Sequence, residues 1–291
     1  MLILISDAFD PTLPGRLEKF GEVTEDKGRL PEADVVLIRS KTKCTKEYID
    51  SAPNLKLIIR GGVGLDNVDR PYAGDKGINV YNTASASAIA VAELTMALML
   101  AVPNNVVPGH VSMSEGRWLK KELKRTELYK KTLGLIGVGN IGTEVARRAA
   151  AFGMEVVAFD PAYQEHEVAS MVGSVDEIYR RADYISLHVP LIDATKGMIN
   201  ASSIDKMKDG VIIVNTARGK CVREEDMARA LESGKVRAYA TDVWTSDPPP
   251  ADSPILKAPN VIMTPHIGAS SKENLLRIGD VILEILEKEA P

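Results

Sequence analysis

Short apolar, β-branched runs recur along the chain and alternate with stretches of helical period. In the first third the runs are LILIS (2–6), DVVLIR (34–39), LKLIIR (55–60) and INVYN (78–82), followed by a helical stretch over 88–101 that stops at Pro103. From Lys131 a second series begins: TLGLIG (132–137), EVVAFD (155–160), DYISLHV (183–189), VIIVN (211–215), RAYATDV (237–243) and NVIMT (260–264). Helices are expected between these strands over 141–152, 175–182, 202–207 and 224–233. Strands alternating with helices predict βαβ units and parallel sheets. The expected class is α/β, with two Rossmann-like domains whose parallel sheets are flanked by helices. The six strands of the second series match the full strand count of a dinucleotide-binding domain. A last helix over 272–288 sets Ile278, Val281, Ile282, Ile285 and Leu286 on one face. It lies beyond the last strand of the second series, so it is expected to return to the first domain. The boundaries that follow are 1–95 and 270–291 for a discontinuous domain, with 96–269 inserted in it.

Length and composition narrow the classes. A chain of 291 residues suits about two domains. A net charge of -4 argues against a general nucleic-acid binder. The stretch from 84 to 102 is apolar but carries Glu93 and several Ser and Thr, so it reads as a buried helix and no membrane span is expected. The N-terminus has no basic region ahead of its apolar run, so it reads as a strand and not a leader. The cysteines, Cys44 and Cys221, stand far apart and fit no disulfide or zinc spacing. No metal is expected, and a reducing, cytoplasmic setting is.

Three motifs carry the chemistry. GVGNIG (137–142) follows a strand and opens a helix. In that context Gly137 permits the tight turn, Gly139 admits a pyrophosphate to the backbone, and Gly142 lets helix and sheet approach. The helix N-terminus then offers N–H groups to phosphate. Asp160 ends the next strand, 18 residues after Gly142. A carboxylate there accepts from ribose hydroxyls and repels a 2′-phosphate. No Arg or Lys follows in Pro161, Ala162 and Tyr163, so NAD is expected over NADP. A structural glycine turn or a site for S-adenosylmethionine is the competing reading.

The other two motifs are NTARGK (215–220) and TPHIG (264–268), each just after an apolar strand run. Ligands of open α/β sheets bind beyond the carboxyl ends of the strands. Arg218 can therefore pair with a substrate carboxylate and polarise a neighbouring carbonyl. His266 can pass a proton to and from the substrate oxygen. Its orienting carboxylate is Asp242 or Asp247; spacing does not choose between them. His110 and His166 read as structural. RSKTKCTK (39–46) holds Arg39, Lys41, Lys43 and Lys46 with no acid, and Arg60 ends the next strand ahead of GGVG (61–64). Two strand-end arginines suit a phosphate, while the loop of Gly62, Val63 and Gly64 can turn N–H groups toward a carboxylate. Lys41 and Lys46 read as a solvated face.

With GVGNIG, Asp160-Pro161, HVPL (188–191), NTARG, DVW with a following Asp-Pro, and TPHIGAS, the chain resembles the D-isomer-specific 2-hydroxyacid dehydrogenases over nearly its whole length. LISDAFDP, LIRSKTK, RGGVGLDNVD and AVAELT bring it nearest to the branch that oxidises 3-phospho-D-glycerate. The resemblance implies NAD as cofactor, a homodimer, and a catalytic set of Arg218, His266 and Asp247. Glu is usual at the last position, so a carboxylate one methylene shorter must reach the histidine. The resemblance also implies substrate contacts at Arg39, Ser40 and Arg60. Cofactor contacts are implied at Asn140, Ile141, Pro161, Val189, Pro190, Thr195, Thr216, Ala217, Asp242 and Gly268. C-terminal regulatory domains are not expected, nor is feedback by serine through them. The helix from about 103 to 118 is read as part of a dimer arm or as an ordinary connecting helix. The alternatives are a glyoxylate, hydroxypyruvate or D-lactate reductase, and an NAD-binding interaction protein of the corepressor kind.

Overall fold

A computed structural model describes residues 1–289; positions 290 and 291, which the sequence reading assigns to the first domain, lie outside the described residues. The chain divides into two compact units, Met1–Ala90 with Ala269–Pro291, and Val91–Gly268.

The first unit is built on five strands: β1 (Leu2–Ile5), β2 (Glu22–Thr24), β3 (Val35–Ile38), β4 (Leu57–Arg60) and β5 (Asn79–Asn82). They are parallel and ordered β2-β1-β3-β4-β5. Alternate side chains of these runs enter opposite cores. Ile3, Leu37 and Ile59 pack with Ile278, Ile282 and Leu286 of the helix Lys272–Glu289, while Leu4, Val36, Ile38 and Ile58 pack on the other face. A strand buried on both faces needs apolar residues at consecutive positions, which is why β1 and β3 read as unbroken apolar runs.

The second unit holds β6 (Thr132–Ile136), β7 (Glu155–Phe159), β8 (Ser170–Met171), β9 (Tyr184–Leu187), β10 (Val211–Asn215), β11 (Val236–Thr241) and β12 (Val261–Met263). The order is β12-β11-β10-β9-β6-β7-β8, all parallel. The chain leaves β6 toward β7 and later returns to the opposite side of β6 through β9. That reversal is a topological switch point, where open α/β sheets place their ligands.

Three details depart from the expectations. The first sheet has a fifth strand, β2, and the second a seventh, β8. Both are short edge strands with solvent-facing residues, so neither leaves an apolar run in the sequence. The helix expected over 103–118 is only Val106–Ser114. Asn105 before it is left-handed (φ 52°), Gly116 after it is too (φ 72°), and Trp118 lies beyond it, 73% exposed. The third is that several strand runs end sooner than their apolar pattern suggests. Arg39, Asp160, His188, Asp242 and Thr264 each follow the last residue of a strand, at the carboxyl ends.

The helix Ala84–Ala101 is long and apolar enough to cross a membrane by length and composition alone. Its Ala92, Met96, Leu98 and Met99 are buried in the core of the second unit, as expected of an internal helix.

Candidate active site

The cofactor cradle forms where the glycine run passes from β6 into the helix Asn140–Ala151. Gly137 has φ 95°, and a Cβ there would lie 2.5 Å from the carbonyl oxygen of His188. A Cβ on Gly142 would strike the carbonyl of Gly137. Gly139 faces open space, with no atom within 4 Å of where its Cβ would be. It is also the N-cap, and no side chain caps this helix. Uncapped N–H groups beside an open glycine make an anion cradle. The Asp160 carboxylate accepts from Val138 N (2.9 Å) and Ala162 N (2.9 Å), which fixes it at the end of β7 beside the glycine turn. These residues fit a dinucleotide.

Other expected contacts have internal partners. The Thr195 hydroxyl donates to Pro190 O (2.6 Å) and accepts from Ile192 N. Thr216 shares a buried hydrogen bond with Thr95 (2.8 Å). His166 joins Thr143 through Nε2 and accepts from Val168 and Ala169 through Nδ1, a structural role. His188 pairs with Ser186, and burial pushes its pKa down to about 3, so the ring is neutral. Asn140 and Ile141 open the helix Asn140–Ala151 after β6, and Pro161, Val189, Pro190 and Ala217 lie in the turns after β7, β9 and β10.

Two buried side chains shape the chemical end. Asn215, the last residue of β10, accepts from Ala217 N (3.0 Å) and donates to Arg218 O (3.0 Å), folding the turn that carries Arg218. Arg218 in turn donates from Nη1 to Ala217 O (2.6 Å). Asp242, just after β11 and 2% exposed, accepts from Thr264 Oγ1 (2.6 Å), Ile267 N (2.8 Å) and Gly268 N (2.8 Å). Both of its oxygens are thus used by the 264–268 turn. At the crest of that turn His266 is left-handed (φ 56°), and its Nδ1 meets Asp247 Oδ2 at 2.5 Å. The partner is therefore Asp247 and not Asp242; the shorter side chain reaches because the 244–248 loop comes in close. Trp244 anchors that loop by donating to Thr264 O (3.1 Å). A Cβ on Gly219 would collide with the Trp244 backbone, so glycine lets the Arg218 turn and the Asp247 loop touch.

Neither Asn215 nor Asp242 announces this role in the sequence. The only hint is a polar residue at the last or next position of an otherwise apolar strand.

The arrangement can bind an anion at Arg218 and exchange a proton at His266 Nε2. With Nδ1–H donated to Asp247, Nε2 is left as the acceptor. β10, β11 and β12 are neighbours, so Arg218, Asp247 and His266 come off three consecutive strands.

Residues 96–268 match the model of the D-isomer specific 2-hydroxyacid dehydrogenase, NAD binding domain. A hydroxypyruvate reductase of Thermotoga maritima is 50% identical over 262 residues, 89% of this chain and 86% of that one. The chain belongs to the D-isomer specific 2-hydroxyacid dehydrogenases. A D-3-phosphoglycerate dehydrogenase of Methanocaldococcus jannaschii is 44% identical over 98% of the chain, which spans only 57% of that relative's length. The solved NAD-dependent formate dehydrogenase of Staphylococcus aureus, in complex with NAD, superposes with a TM-score of 0.87 at 32% identity, covering 100% of this chain and 97% of that one. As a member of this family the chain is an NAD-dependent oxidoreductase.

In the first unit, Arg39 follows β3 and Arg60 ends β4. Arg39 is held by Ala269 O (3.1 Å) and Ala8 O (3.4 Å) through its Nη atoms. Gly62 (φ 146°) lets the Arg60 guanidinium lie against its Cα, where a Cβ would clash. Its N–H is given to Thr83 Oγ1 (2.8 Å), so Gly62, unlike the expectation, does not offer that donor outward. Ser40 is exposed, and Val63 and Gly64 continue the same loop.

Asp247→Asn is expected to lower kcat by roughly 10²-fold or more, because a general acid–base pair contributes on that order. NADH affinity, read by fluorescence titration, should stay within about twofold, since Asp247 is remote from the glycine turn in the sheet order. An Asp247→Asn enzyme with full kcat would remove Asp247 from the reaction.

Proposed function

We propose that the enzyme oxidises 3-phospho-D-glycerate to 3-phosphohydroxypyruvate. The observation that carries this reading is the arginine pair of the first unit. Ile38 and Arg60 are in register on neighbouring strands, so Arg39 and Arg60 leave adjacent strand ends. Two guanidinium groups so placed suit a phosphate dianion.

Each remaining group has a role. The glycine turn at 137–142 and Asp160 hold the cofactor. NAD, when bound, supplies the hydride acceptor. Arg218 holds the substrate carboxylate and draws electron density from the neighbouring oxygen. His266 takes the hydroxyl proton at Nε2, and the Asp247 carboxylate offsets the positive charge the ring gains. In the reverse direction His266 returns the proton. Ser40, Val63 and Gly64 complete the substrate contacts in this reading. It carries with it a place at the start of serine synthesis and a cytoplasmic location.

A second reading has its own support. The Thermotoga maritima relative is a hydroxypyruvate reductase that this chain covers over 86% of its length, which favours an unphosphorylated substrate. NADH oxidation with 3-phosphohydroxypyruvate, hydroxypyruvate and glyoxylate decides between them. The expected kcat/KM is about tenfold or more higher for the phosphorylated substrate, as one charged hydrogen-bond pair is worth. Arg39→Ala and Arg60→Ala should each erode that advantage. Equal or better turnover of hydroxypyruvate would move the assignment to the second reading.

We also propose a homodimer formed through the 106–118 segment of the second unit. Val106, Val107, Val111, Met113 and Trp118 are exposed there together, a grouping that a monomer rarely leaves to water. Light scattering should give twice the chain mass of 31.5 kDa; a species at the chain mass itself would set the dimer aside.

A further inference from the structure

The turn that carries Arg39 is not held by the strand it follows. Two side chains from elsewhere in the first unit clamp it. Asp7, buried just after β1, accepts from Arg39 N (2.6 Å) and Thr42 N (3.1 Å) through Oδ2 and from Thr42 Oγ1 (2.8 Å) through Oδ1. Asn67 donates through Nδ2 to Arg39 O (2.7 Å) and Thr42 O (2.6 Å). Both N–H groups and both carbonyls at the ends of the 39–42 turn are thereby fixed.

The two clamps reach different distances along the chain. Asn67 sits three residues past Gly64, and its own carbonyl accepts from Cys44 N (2.8 Å). It therefore joins the turn of Arg39 and Ser40 to the loop that begins at Arg60. The far side of that loop is pinned as well, by Asn82 Nδ2 to Val63 O (2.6 Å). Asp7 contributes a negative charge close to Arg39, which by itself would oppose an anionic ligand. Three donors cover that carboxylate, and the Arg39 guanidinium is itself held by Ala8 O and Ala269 O, so the turn and its cation are fixed together.

We infer that Asp7 and Asn67 are positioning residues that set the separation of the Arg39 turn and the Arg60 loop, and with it the preference for a substrate bearing a distal phosphate. The inference rests on the phosphate reading above. Neither residue touches substrate. Each acts by holding the geometry in which two loops meet one dianion, so loss of the clamp weakens phosphate recognition and leaves hydride transfer alone. A role confined to folding would lower turnover of both substrates together.

The test compares kcat/KM for 3-phosphohydroxypyruvate with that for hydroxypyruvate in the full-length enzyme. In Asp7→Asn the amide cannot accept at both positions, and the ratio of the two values should fall about tenfold, through KM for the phosphorylated substrate. Thr42→Val, which removes only the hydroxyl bond to Asp7, should lower the ratio by about threefold and serves if Asp7→Asn does not fold. Thr42→Ser keeps that bond and should restore it. Arg39→Ala separates the two claims. If the ratio moves with Arg39→Ala but not with Asp7→Asn or Thr42→Val, the phosphate reading stands and the clamp is wrong. If Arg39→Ala leaves the ratio unchanged, both fall.

Discussion

One buried carboxylate organises the chemical end of the second unit. Asp242 is almost fully enclosed, and an enclosed carboxylate without donors would cost several kcal/mol. Three donors from the 264–268 turn meet that demand, so the turn has one shape in which the carboxylate is satisfied. In that shape His266 takes a left-handed backbone, uncommon outside glycine, and its ring meets Asp247. Asn215 does the same for Arg218 with neutral hydrogen bonds. The reacting side chains thus sit on turns whose backbone groups are bound from below by the sheet.

The same economy recurs in the first unit. Asp7 and Asn67 fix the turn of Arg39 as Asp242 fixes that of His266. In both units a short polar side chain next to a strand end takes the backbone N–H groups of a neighbouring turn. Short side chains lose little conformational freedom when ordered, so a turn held by Asp or Asn is rigid at small entropic cost. Rigid turns at strand ends hold a reactive group in place before the ligand arrives.

Much of this was legible in the sequence. The unbroken apolar runs of β1, β3 and β10 announce strands covered on both faces, and GVGNIG after such a run announces the dinucleotide turn. The edge strands β2 and β8 were not legible, because one side of an edge strand meets water and the alternation is lost. The helix after Pro103 is shorter than its sequence suggests, since nothing apolar marks the left-handed residues that bound it. At the site, spacing could not choose between Asp242 and Asp247 as the partner of His266. That choice depends on the approach of the Trp244 loop to Gly219, a contact between chain segments that no local pattern encodes. The Gly62 loop gave the opposite lesson: its glycines were visible, but one N–H proved to be committed to Thr83.

The central claim is that Asp242 shapes the turn that brings His266 to Asp247. A histidine Nδ1–H held in a short bond to a carboxylate gives a far-downfield proton resonance, observable at low temperature. That resonance is expected in the parent enzyme and should be lost in Asp247→Asn, and lost in Asp242→Asn while the protein stays folded. A resonance that survives unchanged in folded Asp242→Asn would contradict it.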